Sequence, residues 1–153
     1  MPANSRHHVL LVRAGARVCA LPIADVIETF RPLPVSPLAA TPPFVLGVAV
    51  VRGEPAPVIS LGQLLSGTSG PPPSRFVGVR CGARVAALAV EAVLGVSALP
   101  DGLAPGLPLL EQAGGAAVEA AGVLGSELLL LLRSARVVPE ECWAALAAEV
   151  ATR

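Results

Sequence analysis

Short apolar runs, each closed by a glycine, a proline or an arginine–glycine pair, succeed one another along this chain. His8–Arg13 and Arg17–Leu21 flank one Gly-Ala turn, and Phe76–Arg80 and Arg84–Val90 flank another. Glycine takes the positive φ that a tight reversal demands, so each pair reads as a β-hairpin. Val45–Val51 returns as Ala56–Leu61 through Arg52-Gly53, and Ala117–Leu124 returns as Glu127–Arg133 through Gly125-Ser126. One further apolar segment, Val26–Phe30 or Val93–Leu99, brings each half to about five strands. Strands this short, regularly spaced and separated by turn residues, indicate small barrels or a sandwich.

An internal repeat sharpens the picture. Val12–Glu28 (VRAGARVCALPIADVIE) aligns without gaps on Val79–Gly95 (VRCGARVAALAVEAVLG), with 9 of 17 positions identical at an offset of 67. The shared VRxGARVxAL core implies two related strand units, each too small to be robust alone and therefore packed on the other. The connectors agree. Residues 32–43 hold five prolines (Pro32, Pro34, Pro37, Pro42 and Pro43), which suits an extended crossover rather than a helix or central strand. Residues 66–74, SGTSGPPPS, form a flexible boundary, and residues 100–108 form a third loop. After Pro139 the period changes. Glu140 and Glu141 suit the positive end of a helix dipole, and Trp143, Leu146 and Val150 recur at helical spacing, giving an amphipathic helix over about 139–151. Brief helical turns are expected at 23–25 and 62–65. The resulting expectation is an all-β chain of two tandem five-stranded barrels: 1–66, a linker at 67–74, 75–136, then a helical tail at 137–153.

Composition removes most chemistry. The 153 residues carry formal net charge zero, 54% are hydrophobic and 14% charged, and lysine and tyrosine are absent. No lysine means no phosphate-loop lysine, Schiff base or lysine general base. Eleven scattered arginines balanced by eleven acids give no basic stripe for nucleic acid. The apolar runs fall short of the ~20 residues that span a bilayer. The polar start MPANSRHH lacks a signal-peptide core, and Cys19, Cys81 and Cys142 form no CxxC pair, so a cytoplasmic protein with buried thiols is expected.

Individual candidates are thin. Ser69 lies in GTSG rather than a GxSxG elbow, with no histidine near it in sequence. His7 and His8 could share a metal, but neighbours on a strand point to opposite faces. Glu91 and Glu119 interrupt apolar stretches, either as outward-facing strand residues or as a carboxyl pair of raised pKa. Arg52 closes FVLGVAVVR. It is either a solvated turn arginine or, ringed by aliphatic residues at a barrel rim, the centre of a protein–protein contact.

The order of segments resembles the CheW coupling proteins of bacterial chemosensory arrays. The matching pieces are LLVRAGARVCALPIADVIET, SPLAATPPFVLGVAVVRGEPAPVISL, SRFVGVRCGARVAALAVEAVLGV and EAAGVLGSELLLLLRSARVV, together covering about residues 8–138. The TPPFVLGV…RG…PVISL block is the most specific of them. The resemblance implies two SH3-like barrels with a receptor groove between them. It further implies a non-catalytic adaptor without cofactor or metal, linking the cytoplasmic hairpin tip of methyl-accepting chemotaxis receptors to the regulatory domain of a CheA-type histidine kinase. The family's receptor-contact positions fall on Val26, Gly47, Arg52, Gly53 and Val96, with Glu28 as a nearby polar contact. Such an apolar surface with a few orienting polar groups suits a helical partner.

There are departures. The family's Asn-Leu before Arg-Gly is here Val50-Val51, and its aspartate after the fifth strand is Ser60, which bears on the kinase contact. A divergent coupler that binds receptor but not kinase is therefore the alternative, and a small-ligand-binding barrel or enzyme subunit the more remote one. Exposed aliphatic edges also predict weak self-association.

Overall fold

A computed structural model describes residues 8–105 and 117–151; His7, the end of the 100–108 loop and the last two residues of the tail lie outside the described residues. The chain order is β1 (His8–Ala14), β2 (Arg17–Pro22), a 3-10 turn (Ile23–Asp25), β3 (Val26–Phe30), β4 (Val45–Val51), β5 (Glu54–Ser60) and α1 (Leu61–Ser66). It continues with β6 (Arg75–Cys81), β7 (Arg84–Val90), β8 (Ala92–Ala98), β9 (Ala104–Pro105), β10 (Val118–Leu124), β11 (Glu127–Leu132), a second 3-10 turn (Ser134–Arg136) and α2 (Glu140–Ala151). The four hairpins read from the sequence all form, and the two repeat copies coincide with β1–β2 and β6–β7, in register at the same offset of 67.

The strands make two sheets, ordered β8-β1-β2-β11-β10-β9 and β3-β6-β7-β5-β4. This corrects the expected division at 67–74. The first repeat hairpin is flanked by β8 and β11 from the second half of the chain, and the second hairpin by β3 and β5 from the first half. Each copy therefore supplies a hairpin to one lobe and sends everything after it to the other. Tandem order in sequence does not become tandem order in space, because local turn chemistry fixes only which strands form hairpins.

Burial explains why the repeat strands read as nearly unbroken apolar runs. In β1, Val9 and Leu11 fill the first lobe with Val18, Ala20, Leu129 and Leu131, while Leu10, Val12 and Ala14 point the other way. In β6 and β7, Phe76, Ala87 and Ala89 fill the second lobe with Val58, while Val77, Val79, Leu88 and Val90 turn toward the first. Both faces of both hairpins are buried, so strict polar alternation disappears. The outward faces merge into a third and largest core between the lobes, closed at one end by Val137, Cys142, Trp143 and Leu146 from the tail.

The prolines of β5 sit where a sheet tolerates them. Pro55 and Pro57 precede the parallel pairing with β7, which begins at Val58. Opposite Pro57, Val48 directs its backbone groups outward and exchanges both hydrogen bonds with Ser36, at 2.8 Å each. That bridge pins the proline-rich crossover to the edge of β4.

Candidate partner-binding surface

The turn joining β4 to β5 is Arg52-Gly53, with φ of 52° and 80°. Two successive positive φ values match the hairpin turn whose twist suits flanking strands, and the preferred first residue there is Asn or Gly. An arginine in that conformation is strained by roughly 1–2 kcal/mol. Its Nε donates to Glu28 Oε2 of β3 at 2.7 Å, with the two side chains 62% and 37% exposed. A surface pair of this kind contributes only ~0–1 kcal/mol. Its consequence is orientation: Glu28 fixes the guanidinium against the strand on the far edge of the same sheet.

The six residues singled out in the sequence separate into groups. Glu28 and Arg52 meet directly, and Gly53 completes their turn. Gly47 lies in β4 at φ 143°, and a Cβ there would stand 2.1 Å from Ser36 O, so only glycine admits the crossover. Gly47 is thus a buried structural position beneath the surface. Val26 is half-buried and packs on the inter-lobe core. Val96 belongs to the other sheet, on β8, and is 60% exposed. The space directly between the repeat hairpins is filled by the protein's own side chains, with Val26 and Val93 packed partly buried against them.

The departures also acquire local explanations. Ser60 is the N-cap of α1, its hydroxyl accepting from Gln63 N at 3.3 Å, so serine does the capping an aspartate would do. Val50 is 65% exposed opposite Pro55, and Val51 is buried. In the first lobe Val123, also exposed, lies opposite Leu128 at the corresponding hairpin end. Each lobe therefore presents an apolar cross-strand pair beside its outer turn.

Sequence reasoning missed the faces of α2. One cleft of about 420 Å³ lies between its Leu146 and Val150 and the crossover residues Pro34 and Pro37, with Val50 on its wall. Toward the start of the helix, Arg84 stacks on Trp143 at 4.2 Å and pairs with Glu140 at 3.1 Å. The helical spacing of Trp143, Leu146 and Val150 was visible, but not which strand they would face.

Of the catalytic candidates, Ser69 and Glu91 line one cavity of about 220 Å³ beside α1 and the linker, with no histidine in its lining. Glu119 is exposed on β10, whereas Glu91 occupies the β7–β8 crossover with its buried Oε2 unpartnered among the described residues. Among the described residues, no group of three or more His, Cys, Asp or Glu is placed to hold a metal. No helix among them is long and apolar enough to cross a membrane.

Comparison with known proteins gives three findings. Residues 8–142 match the CheW-like domain. A stretch of 101 residues, 64% of this chain, is 38% identical to Protein FrzA of Myxococcus xanthus and spans 62% of that relative's length. The fold superposes on the crystal structure of the scaffolding protein TtCheW from Thermoanaerobacter tengcongensis with a TM-score of 0.71 and 23% identity, covering 84% of this chain and 89% of that one.

Proposed function

The chain belongs to the CheW-like domain family, and from that premise we propose that it is a non-catalytic coupling adaptor of a chemosensory array. It binds the cytoplasmic hairpin tip of a methyl-accepting chemotaxis receptor through the surface around Arg52 and Glu28, and a CheA-type kinase regulatory domain through an apolar barrel end.

The observation that carries this reading is Arg52. A residue held at positive φ where glycine would relax, exposed and oriented by Glu28, is strain kept at a working surface. A guanidinium so held can bond carboxylate or amide groups on a helical tip, while Val26 and, from the other sheet, Val96 are the apolar positions assigned to the same partner. The exposed pairs Val50–Pro55 and Val123–Leu128 suit a sheet-end contact of the kind a second barrel would make.

The test is paired pulldown with a receptor tip and with a kinase regulatory domain. Arg52→Glu places a second carboxylate beside Glu28 and abolishes receptor capture, while circular dichroism and the unfolding midpoint stay close to wild type because the residue is exposed. Arg52→Gly relieves the turn and raises stability by ~1 kcal/mol, yet still weakens capture. Receptor binding that survives charge reversal removes the surface assignment. Capture of the receptor tip but not the kinase domain by the wild type makes the chain a receptor-only coupler.

A further inference from the structure

We propose that the chain takes a second copy of itself as a partner by exchanging halves, β1–β5 of one copy completing β6–β11 of the other. The reason lies in which pairings cross the middle of the chain. Among the described strands, each half by itself forms only hairpins and the β9–β10–β11 meander, apart from the Ser36–Val48 bridge. The contacts that turn them into sheets are β1 with β8, β2 with β11, β3 with β6 and β5 with β7, and all four join one half to the other. The interior of each lobe and the core between them likewise draw on both halves. Neither half can bury its apolar faces alone.

The covalent tie between halves contributes to none of these pairings. Ser60 stands beside Ala89 and Arg75 beside Val90, on opposite flanks of β7, so the ends of segment 61–74 lie about two strand spacings, ~10 Å, apart. α1 uses six of those residues. The reversal then falls on residues 66–70, where Gly67 takes φ 77° and the Ser66 hydroxyl bonds Thr68. Pro71, Pro72 and Pro73 are each confined to a narrow φ and favour extension. Two copies with exchanged halves would repeat every strand pairing and every core contact, and only these linker residues would change course. Linker closure alone sets the balance. A short linker holds the halves at an effective concentration in the millimolar range, so the single copy dominates in dilute solution and exchange grows as copies are concentrated or the linker is shortened.

Deletion of residues 67–73 joins Ser66 to Ser74 and removes the reversal; light scattering should then give twice the monomer mass with an unchanged circular dichroism spectrum. A cross-link identifies exchange as the cause. His8 and Ala98 are exposed cross-strand partners on β1 and β8, one from each half. In the shortened chain carrying His8→Cys and Ala98→Cys, mild oxidation should give a covalent dimer on a non-reducing gel. Intact monomers merely stacked together would seal the same cysteines within one chain and run as monomers, which overturns the proposal. So does a shortened chain that stays monomeric or fails to fold. In the full-length double-cysteine protein, the covalent dimer should rise from trace to a readily measured fraction as refolding concentration goes from ~1 μM to ~1 mM, and a yield independent of concentration also overturns it.

Discussion

Raising the pH above 9 should unfold this protein through its buried thiols, and almost nothing else in the chain can contribute. Cys19 and Cys81 both line the inter-lobe core. Burial pushes the Cys19 thiol from its ordinary 9.0 up to about 12, against a small opposing pull from Arg17. Burial pushes Cys81 up to about 11, partly offset by Arg84 and reinforced by Asp25. Burial also raises Cys142, with Glu141 adding to it. A group whose folded pKa lies above its unfolded one contributes stability that is complete below the unfolded value and is lost as pH rises toward the folded value. Here that window opens near pH 9. At pH 10 an unfolded thiol gains on the order of 1 kcal/mol from ionising while its folded counterpart gains almost nothing, so the two residues together cost about 3 kcal/mol. At pH 11 the unfolded gain is about 3 kcal/mol each, and with Cys81 beginning to ionise in the fold the combined loss is about 5 kcal/mol. That is comparable to the whole stability of many small domains.

In most proteins lysines and tyrosines would obscure such a profile, but this chain has neither, and arginine titrates above 12. The assay is urea unfolding from pH 8 to 11 under strict reduction, followed by the fluorescence of Trp143, the single tryptophan. The repeat supplies the controls: Cys19 aligns with Ala86, and Cys81 with Ala14, all four buried. Cys19→Ala and Cys81→Ala therefore place at each site the residue the other copy already carries. Each substitution should remove about half of the alkaline decline that these two thiols cause, leaving the part due to Cys142, whatever it does to stability at pH 8. A wild type whose stability is level to pH 11, or a double variant that keeps the full decline, refutes the reasoning.

Gly47→Ala should cost ~3–5 kcal/mol in the same unfolding assay, from positive-φ strain plus the two Ser36–Val48 hydrogen bonds it displaces. Gly95→Ala, with φ 124° but nothing within 4 Å of its Cβ, should cost only the strain; equal losses would show that the crossover clash is not the cause. Ser134→Ala should be neutral or stabilise by up to ~1 kcal/mol, because the buried Ser134 hydroxyl has no hydrogen-bond partner among the described residues; a loss above ~1 kcal/mol would mean that the hydroxyl is satisfied in solution. Arg13 forks onto Glu127 at 2.9 and 3.1 Å, and its hydrogen bonds hold that carboxyl below the usual range. The stabilisation is present above the unfolded glutamate pKa and disappears as pH falls through the folded one, so Arg13→Ala should raise the Glu127 titration midpoint seen by NMR.

The local half of this fold was legible and the global half was not, for one physical reason. Hairpins β1–β2, β4–β5, β6–β7 and β10–β11 are specified by residues a few positions apart, and turn glycines announce them. The pairing of β1 with β8, or of β5 with β7, joins strands of similar aliphatic composition far apart in sequence. No local residue distinguishes the exchanged arrangement from two self-contained barrels. The clue present was burial on both faces: a repeat hairpin apolar on every residue from Val9 to Val12 needs a cover on each side, and its own half offers too few strands to supply both. The candidate site followed the same rule. The Arg52-Gly53 turn was legible because a turn is local, and Glu28 came near it only through a resemblance, since the sheet β3-β6-β7-β5-β4 must close before its two edges approach. The ion pair Arg52–Glu28 therefore reports closure of the second lobe. A variant that loosens the β3–β6 pairing should release Arg52 and weaken the proposed receptor capture without touching the turn, so binding and lobe closure should fail together if Arg52 is the contact.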